Sequence, residues 1–446
     1  MYSRLRTFLT SPGTRFRAPR RIFWVALAVR VLYITLAHTY HLRTILDHFQ
    51  FGWELGRIAR ALATGRGYAD PFIGPSGPTA WIPPLYTLVL AAVFKLFGVY
   101  TALSAWVIFV VNSVFSAATC LGIYELAARC YDSYGHGRRI ALWSAWLWAL
   151  YPAAMQYAVH WVWDMTLTNF LFVWALVFAL RVRNIGEPES TTATTQTAAN
   201  WAIFGLLWGL IALSNPSLLI VLPACGLWML WGARASLRGL TDVTAKALLA
   251  AVIVIACVAP WAWRNWQVFH VFIPTRDNLG VELYKSTLAE NDGFPWGAAL
   301  PLAENAPEFL HYKAIGEVAY AKEKGEIAKA YIRQNPDRIA KWTLKRIYFF
   351  WAGVPHPFEK TALIEYTREI NFGFFSVTGL LGLFLSLKRR VPAAWLFAAI
   401  FVLEPLIYYA ITVQARFRHP LEPLITIFTV FLFQSAERSR TREVSS

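Results

Sequence analysis

Residues 22–54 read IFWVALAVRVLYITLAHTYHLRTILDHFQFGWE, an apolar run that gives way to two carboxylates, Asp47 and Glu54. The run 22–42 is long enough to cross a bilayer as a helix, which takes ~20 residues. Seven residues separate the two acids. If that segment is helical, both carboxylates face one way, at a lipid–water boundary where an unpaired acid is expensive. Solvated charge in a polar loop is the plain alternative, because loop acids at membrane ends are ordinary.

The rest of the chain supports the membrane reading. Apolar residues make up 57% and charged residues only 15%, so a soluble globular domain is excluded as the main body. The net charge of +16 could suggest nucleic acid, but the arginines cluster at the ends of apolar segments rather than on one amphipathic face. Membrane orientation accounts for them, and membrane lipids rather than nucleic acid are the expected surroundings. Cys120, Cys130, Cys225 and Cys257 lie in or beside apolar runs without metal-ligand spacing, and read as reduced packing residues.

Hydropathy predicts about ten spans, near 22–42, 101–128, 140–156, 164–181, 200–215, 216–232, 247–264, 371–387, 391–412 and 420–434. The segment 84–98 is too short to span and is interrupted by Lys95, so it reads as an interfacial or re-entrant helix. Leaving it out places the basic clusters after each alternate span on the side of the Arg-rich N-terminal tail. Both termini are then cytoplasmic. The outer face receives the loop 43–100, the turn before Asp164, the long insert 265–370 and the short loop 413–419. The organisation is a membrane module over 1–264, a helical insert over 265–370, and C-terminal spans with a tail over 371–446. The Thr-rich stretch 187–199 reads as a cytoplasmic linker. No internal repeat of the transporter kind is visible.

The first outer loop continues as ARALATGRGYADPFIGPSGPTAWIPPLY, whose glycines and prolines enforce turns before a helix begun at Pro83–Pro84. A loop of about 40 residues in a compact bundle favours a functional role over a connector. Four pieces in order resemble the GT-C class of polyprenyl-phosphate-sugar-dependent glycosyltransferases, in particular the bacterial family-39-like members related to protein O-mannosyltransferases and lipid A aminoarabinose transferases. The first is Glu54, Ala59, Leu62 and Gly65, then Gly67-Tyr68 and Pro83-Pro84-x-Tyr86. The others are Tyr151-Pro152 followed by Asp164, PWAWRNWQVFHVFIPTRDNLGVEL, and ARFRHPLEP before the last span.

The resemblance implies an all-α bundle in which an acid of the first outer loop acts as general base on an acceptor hydroxyl while the sugar leaves its lipid phosphate. Most relatives carry that acid at or near the position of Phe51. Here the role passes to Asp47, nearest the span, or to Glu54, which could instead hold a metal or orient the acceptor. A positioned carboxylate is what a weak hydroxyl nucleophile requires. In-line attack opposite phosphate implies inversion.

Arg264, Arg276, Arg416 and Arg418 are candidates to bind the phosphate, since guanidinium forks suit its oxygens, and snorkelling at span ends is the alternative. Tyr68 and His419 complete the expected substrate contacts. Asp164 opens a span and should face the site or pair with an arginine, or else serve as a helix N-terminal acid. A metal, if bound, would be Mg or Mn on an acid pair such as Asp47 with Asp164.

Over the outer face, HYKAIGEVAYAKEKGEIAKAYIRQNP and DRIAKWTLKRIYFFW read as two lid helices, the second interfacial through Lys341, Lys345, Arg346, Trp342 and Phe349. Glu317 and Glu326 read as solvated. The partners implied are a polyprenyl-phosphate-linked sugar and a lipid or protein acceptor, in a bacterial inner membrane with a periplasmic active site. A secondary transporter or flippase, and a scaffold that has lost catalysis, are the rival readings. The second of these is favoured by Phe51.

Overall fold

The computed structural model describes residues 17–134, 137–186, 198–232, 237–288, 301, 303–354 and 362–444. The Arg-rich tail before residue 17, Arg234 and most of the Thr-rich stretch lie outside them. In chain order the α-helices are α1 (Arg17–Leu36), α2 (Glu54–Ala63), α3 (Pro84–Phe97), α4 (Ala102–Tyr131), α5 (Gly137–Leu150), α6 (Pro152–Val159), α7 (Met165–Val182), α8 (Ala198–Ala212) and α9 (Leu222–Trp231). The second half holds α10 (Leu237–Phe269), α11 (Leu279–Lys285), α12 (Pro307–Ile315), α13 (Glu317–Gln334), α14 (Pro336–Ala352), α15 (Ala362–Lys388), α16 (Ala394–Leu403), α17 (Leu406–Ala410) and α18 (Glu422–Val444). Helix packs on helix, and among the described residues only two isolated bridges have β character.

Among the described residues four stretches are both long and apolar enough to cross a membrane: Ala102–Tyr131, Met165–Val182, Thr241–Phe269 and Glu365–Lys388. The expectation of about ten such spans is corrected. Pro84–Phe97, Ala198–Ala212, Pro216–Trp231 and Ala394–Ala410 are apolar but shorter. Proline accounts for much of the shortening, because it removes an N–H and clashes with the preceding turn. The expected span 140–156 divides at Pro152, and Pro405 separates α16 from α17. The chain is an all-α, multi-pass membrane protein with several broken apolar helices.

The break at Pro152 shows how a charge becomes tolerable inside the bundle. Trp148 O would normally accept from the amide of residue 152, and proline has none. Fully buried Arg30 of α1 supplies donors instead, with Nη2 to Trp148 O at 3.4 Å and Nη1 to Ala149 O at 2.9 Å and Ala26 O at 3.0 Å. One arginine thus ties α1 to α5 and satisfies carbonyls that the break orphans.

On one end of the bundle the first loop and the insert fold together. Residues 68–79 form a hairpin-like turn, with Asp70 N–H on Gly77 O and Thr79 N–H on Tyr68 O, and Asp70 Oδ1 accepting from Ser76 and Gly77 amides. Phe72 and Trp81 of the loop bury against Phe309, Tyr312 and Tyr320 of the insert.

Glu317, expected in solvent, is instead only 4% exposed. Its carboxylate accepts from Thr79 Oγ1 and Ala80 N at 2.5 Å each, and from Tyr312 OH at 2.8 Å. The reason is packing: α13 must bury Tyr320 and Ala321 against the loop, and that carries Glu317, at its first turn, to the Thr79–Ala80 backbone. Glu326, on the other face of the helix, is exposed and pairs with Lys329.

Candidate active site

The site is assembled where α2, the turn before α7, the turn after α8, the segment before α11 and the loop before α18 meet. Gly52 sets the first contact. Its φ of 97° and its closeness to the Val162 carbonyl, which an added Cβ would meet at 2.4 Å, let the start of α2 lie directly on the turn 160–164. Asn112 holds that turn from below, donating to Trp161 O at 3.3 Å while accepting from Tyr86 OH at 2.9 Å. Glu54, the first residue of α2, and Asp164, the residue preceding α7, are thereby brought to one neighbourhood.

Arg416 completes it. Its guanidinium stacks 4.2 Å from the centre of the Trp163 ring, and its Nε is buried without a hydrogen-bond partner. Burial lowers its pKa, and the charge of Asp164, then Glu54, then Glu282 opposes that shift. For Asp164 the signs reverse: burial raises the carboxyl, and Arg416 first, then a 3.2 Å hydrogen bond from Thr168, resist it, with Arg276 contributing less. Among the described residues neither Glu54 nor Asp164 has an ion-pair partner within 4.0 Å.

Two side-chain relays connect the parts. Thr168 joins Asp164 to Ser214 Oγ at 3.1 Å, and a few residues on Ser217 Oγ accepts from Arg276 Nη2 at 3.2 Å. Asn169, on the next position of α7, donates to His419 O at 2.9 Å and so anchors the loop that carries Arg416. Thr168, Asn169, Ser214 and Ser217 were not singled out from sequence. The polar run Ser214-Asn215-Pro216-Ser217 between two apolar stretches was the available signal.

The remaining expected residues lie elsewhere. Asp47 faces Arg60, whose Nη1 reaches both of its oxygens at 2.7 and 2.8 Å, with Arg57 Nε at 3.7 Å. It lies within the left-handed run Leu46-Asp47-His48, and the structure pairs it with α2 rather than with Asp164. Phe51, at or near which the resemblance leads one to expect an acid, is buried against Phe94 and Tyr100.

Arg264 is engaged by the first loop, donating to Thr79 O at 2.7 Å and Tyr68 O at 2.8 Å. Tyr68 is likewise a structural pin, its hydroxyl donating to Ile82 O at 2.8 Å. Arg418 is fully buried, bonded to Glu422 Oε1 at 2.7 Å, to Phe372 O at 3.1 Å and to Ser376 Oγ. Neither arginine offers a free fork for phosphate, because carbonyls of the first loop hold Arg264 and the Glu422 carboxylate, Ser376 and Phe372 O hold Arg418. His419 is buried between Trp148 and Tyr157, and burial, aided by Arg418, pushes its pKa down to about 3. It is therefore a neutral packing ring.

As for a metal, among the described residues no three His, Cys, Asp or Glu side chains converge as ligands. The expected pair of Asp47 with Asp164 is not formed, since Asp47 is held by Arg60.

No family model matches the chain, and no curated protein matches it either. Among solved structures it is similar to the archaeal oligosaccharyltransferase AglB from Archaeoglobus fulgidus in complex with an inhibitory peptide and a dolichol-phosphate. The TM-score is 0.54 at 15% identity, over 98% of this chain and 52% of that one. The Archaeoglobus fulgidus oligosaccharyltransferase in complex with Zn and sulfate gives 0.51 at 17% identity, over 94% and 50%. The same enzyme tethered to an acceptor peptide gives 0.52 at 16%, over 93% and 49%. The likeness is one of fold alone, and the chain spans about half the length of those chains.

Proposed function

We propose that the protein is a GT-C-type glycosyltransferase that moves a sugar from a polyprenyl-phosphate carrier to a hydroxyl of a lipid or protein acceptor. The observation that carries this reading is the meeting of Glu54, Asp164, Arg416 and Arg276 at the ends of membrane helices, with the two carboxylates free of ion pairs. The enzymes of similar fold are oligosaccharyltransferases, and one was solved with a dolichol-phosphate. That supports a lipid-phosphate donor here.

In this reading Glu54 is the base. Its carboxylate is uncommitted and half-buried, so it can accept the acceptor's proton as attack proceeds, a contribution worth about 10²–10⁴ in rate. Arg416 and Arg276 bind the phosphate and stabilise its charge as the glycosidic C–O bond breaks. Asp164 positions both cations and orients the acceptor. Attack opposite phosphate gives inversion. Asp47 keeps Arg60 and Arg57 in register and acts through α2.

A resident Mg or Mn ion fits the oxygen donors of Asp164, which would hold it together with the donor's phosphate while Glu54 stays free as the base. Its chemistry would be further charge neutralisation on the leaving phosphate. One similar oligosaccharyltransferase was solved with Zn, but an all-oxygen donor pair suits the harder ions better. We place the protein in a bacterial inner membrane, with both termini cytoplasmic and this site periplasmic.

The test is transfer of radiolabelled sugar from a panel of polyprenyl-phosphate donors to membrane lipid and protein, comparing wild type with Glu54→Gln, Asp164→Asn and Asp47→Asn. Transfer lost in the first two variants while they remain folded supports the assignment. Transfer from no donor would favour the non-catalytic scaffold, a reading that buried Phe51 keeps in view.

A further inference from the structure

We infer that the outward face of α14 is a membrane-binding surface that seats in the outer leaflet and prefers anionic lipid. Three observations converge on it. The first is where the helix is held. Its inner edge, Trp342, Arg346 and Phe350, is buried. Arg346 donates to Tyr409 O and Ala410 O, at 3.3 and 3.2 Å, and to Ser286 O at 2.5 Å. Further along, Trp351 Nε1 reaches Tyr409 OH at 2.8 Å, and Trp351 O accepts from Ser376 Oγ at 2.5 Å. Tyr409 and Ala410 end the apolar stretch Ala394–Ala410, and Ser376 lies in the span formed by α15. The helix is therefore stapled to the end of one apolar stretch and to the middle of another, rather than standing clear of the bilayer.

The second observation is what it shows outward. Leu344 and Tyr348 are 68% and 64% exposed, and Ile347 is exposed as well. At 100° per residue these three occupy one side of the exposed arc, while Lys341, Lys345 and Arg338 occupy the other. An apolar strip bordered by lysines is the pattern of a helix lying in the plane of an interface, with its rings and aliphatic groups among acyl chains and its ammonium groups among headgroups. The basic border selects anionic headgroups, each lysine near such a surface being worth about a fivefold preference.

The third is continuity. The exposed side of α15 carries Ile370, Phe374 and Val377 near the middle of that helix, against which α14 packs. The apolar strip of α14 extends that surface sideways. By contrast α13, the preceding helix, shows Lys322, Glu326 and Lys329 outward, the surface of a helix facing water.

The test uses the full-length protein in lipid nanodiscs and does not depend on the reaction proposed above. In a Cys257→Ala background, the other three cysteines being buried, single Leu344→Cys and Glu326→Cys variants carry a small fluorophore. Spin-labelled phosphatidylcholine or phosphatidylglycerol quenches from the bilayer, and iodide quenches from water. Position 344 should be quenched by spin-labelled lipid and shielded from iodide, and position 326 the reverse. Phosphatidylglycerol should quench position 344 more strongly than phosphatidylcholine, and the double change Lys341→Glu with Lys345→Glu should remove that difference. Iodide quenching at 344 equal to that at 326 would overturn the membrane seat. Lipid quenching at 344 that is indifferent to headgroup would overturn the anionic preference. A Tyr348→Cys probe gives a second reading if the 344 variant fails to fold.

Discussion

Two regions at the same end of the molecule use the same residue types to opposite purpose. Where the first loop meets the insert, Glu317, Arg264 and Tyr68 make their hydrogen bonds to the backbone and side chains of that junction. Where α2 meets the start of α7 and the loop before α18, Arg416 lies within electrostatic reach of both Glu54 and Asp164 without closing an ion pair to either. A buried acid that accepts three hydrogen bonds is cement, because unmaking them would leave each donor without a partner. Carboxylates and a guanidinium left without ion pairs are available to a ligand. Arg416 and Arg418 condense the contrast into one turn of chain, one stacked on Trp163 and the other enclosed by Glu422, Phe372 and Ser376.

The contrast can be broken most directly in the open region. Glu54→Gln should lower sugar transfer by about 10² or more while leaving thermal stability near that of wild type. An equal loss of both would mean that Glu54 is cement as well. Arg416→Ala should weaken donor use through KM and kcat, with the fold intact. Arg418→Ala should instead unfold or fail to accumulate, since it strands buried Glu422, and losing one partner of a buried pair costs about 3–5 kcal/mol. Size-exclusion profiles and donor titrations on the two variants separate these outcomes.

In the closed region, Glu317→Ala orphans Thr79, the Ala80 amide and Tyr312, at about 1–3 kcal/mol for each buried group left without a partner. The expected result is a lowered midpoint of thermal unfolding and faster hydrogen exchange over residues 69–82. Exchange confined to the insert alone would show that the two segments are not joined as described.

A smaller effect follows from the acid beside Glu317. Burial first, and then the Glu317 charge, push the Asp277 carboxyl up to about 7. Burial likewise raises Glu317, against its hydrogen bonds and Arg264. Tyr312 senses both acids and Asp70 as well. An aspartate in the unfolded chain titrates near 4, so the folded form holds its proton more tightly. The contribution is complete below about pH 4 and is lost as pH rises through 7. Protection of residues 69–82 should therefore decline from pH 5 to pH 8, and Asp277→Asn should flatten the decline. Chelation offers the mildest test: if an ion sits on Asp164, EDTA should reduce transfer and Mg or Mn should restore it, with stability unchanged.

Much of the architecture was legible along the chain. Apolar runs and their proline punctuation announced a helical membrane protein, and the short helix at 84–97 was recognisable because 14 residues rise only about 21 Å. The number of full spans was not legible. Hydropathy counts apolar residues whether or not a proline divides them into two helices, as happens at Pro152 and Pro405.

For the site, Glu54, Asp164, Arg276 and Arg416 were all visible as charges at the ends of apolar stretches. What set them apart from Asp47, Arg264 and Arg418 was not. Arg60 lies 13 residues beyond Asp47, and Thr79 lies 185 residues before Arg264. Glu317 was misread for the same reason, its partners at Thr79 and Ala80 being more than 200 positions away.

The sequence by itself determined the solvent in which this protein folds and the identities of the charges at the ends of its apolar stretches, because hydropathy and charge are local properties of residues. Only the tertiary structure decided which of those charges are satisfied. Satisfaction depends on donors and acceptors brought from distant segments, and a buried polar group is either paired by that assembly or left for a ligand to meet.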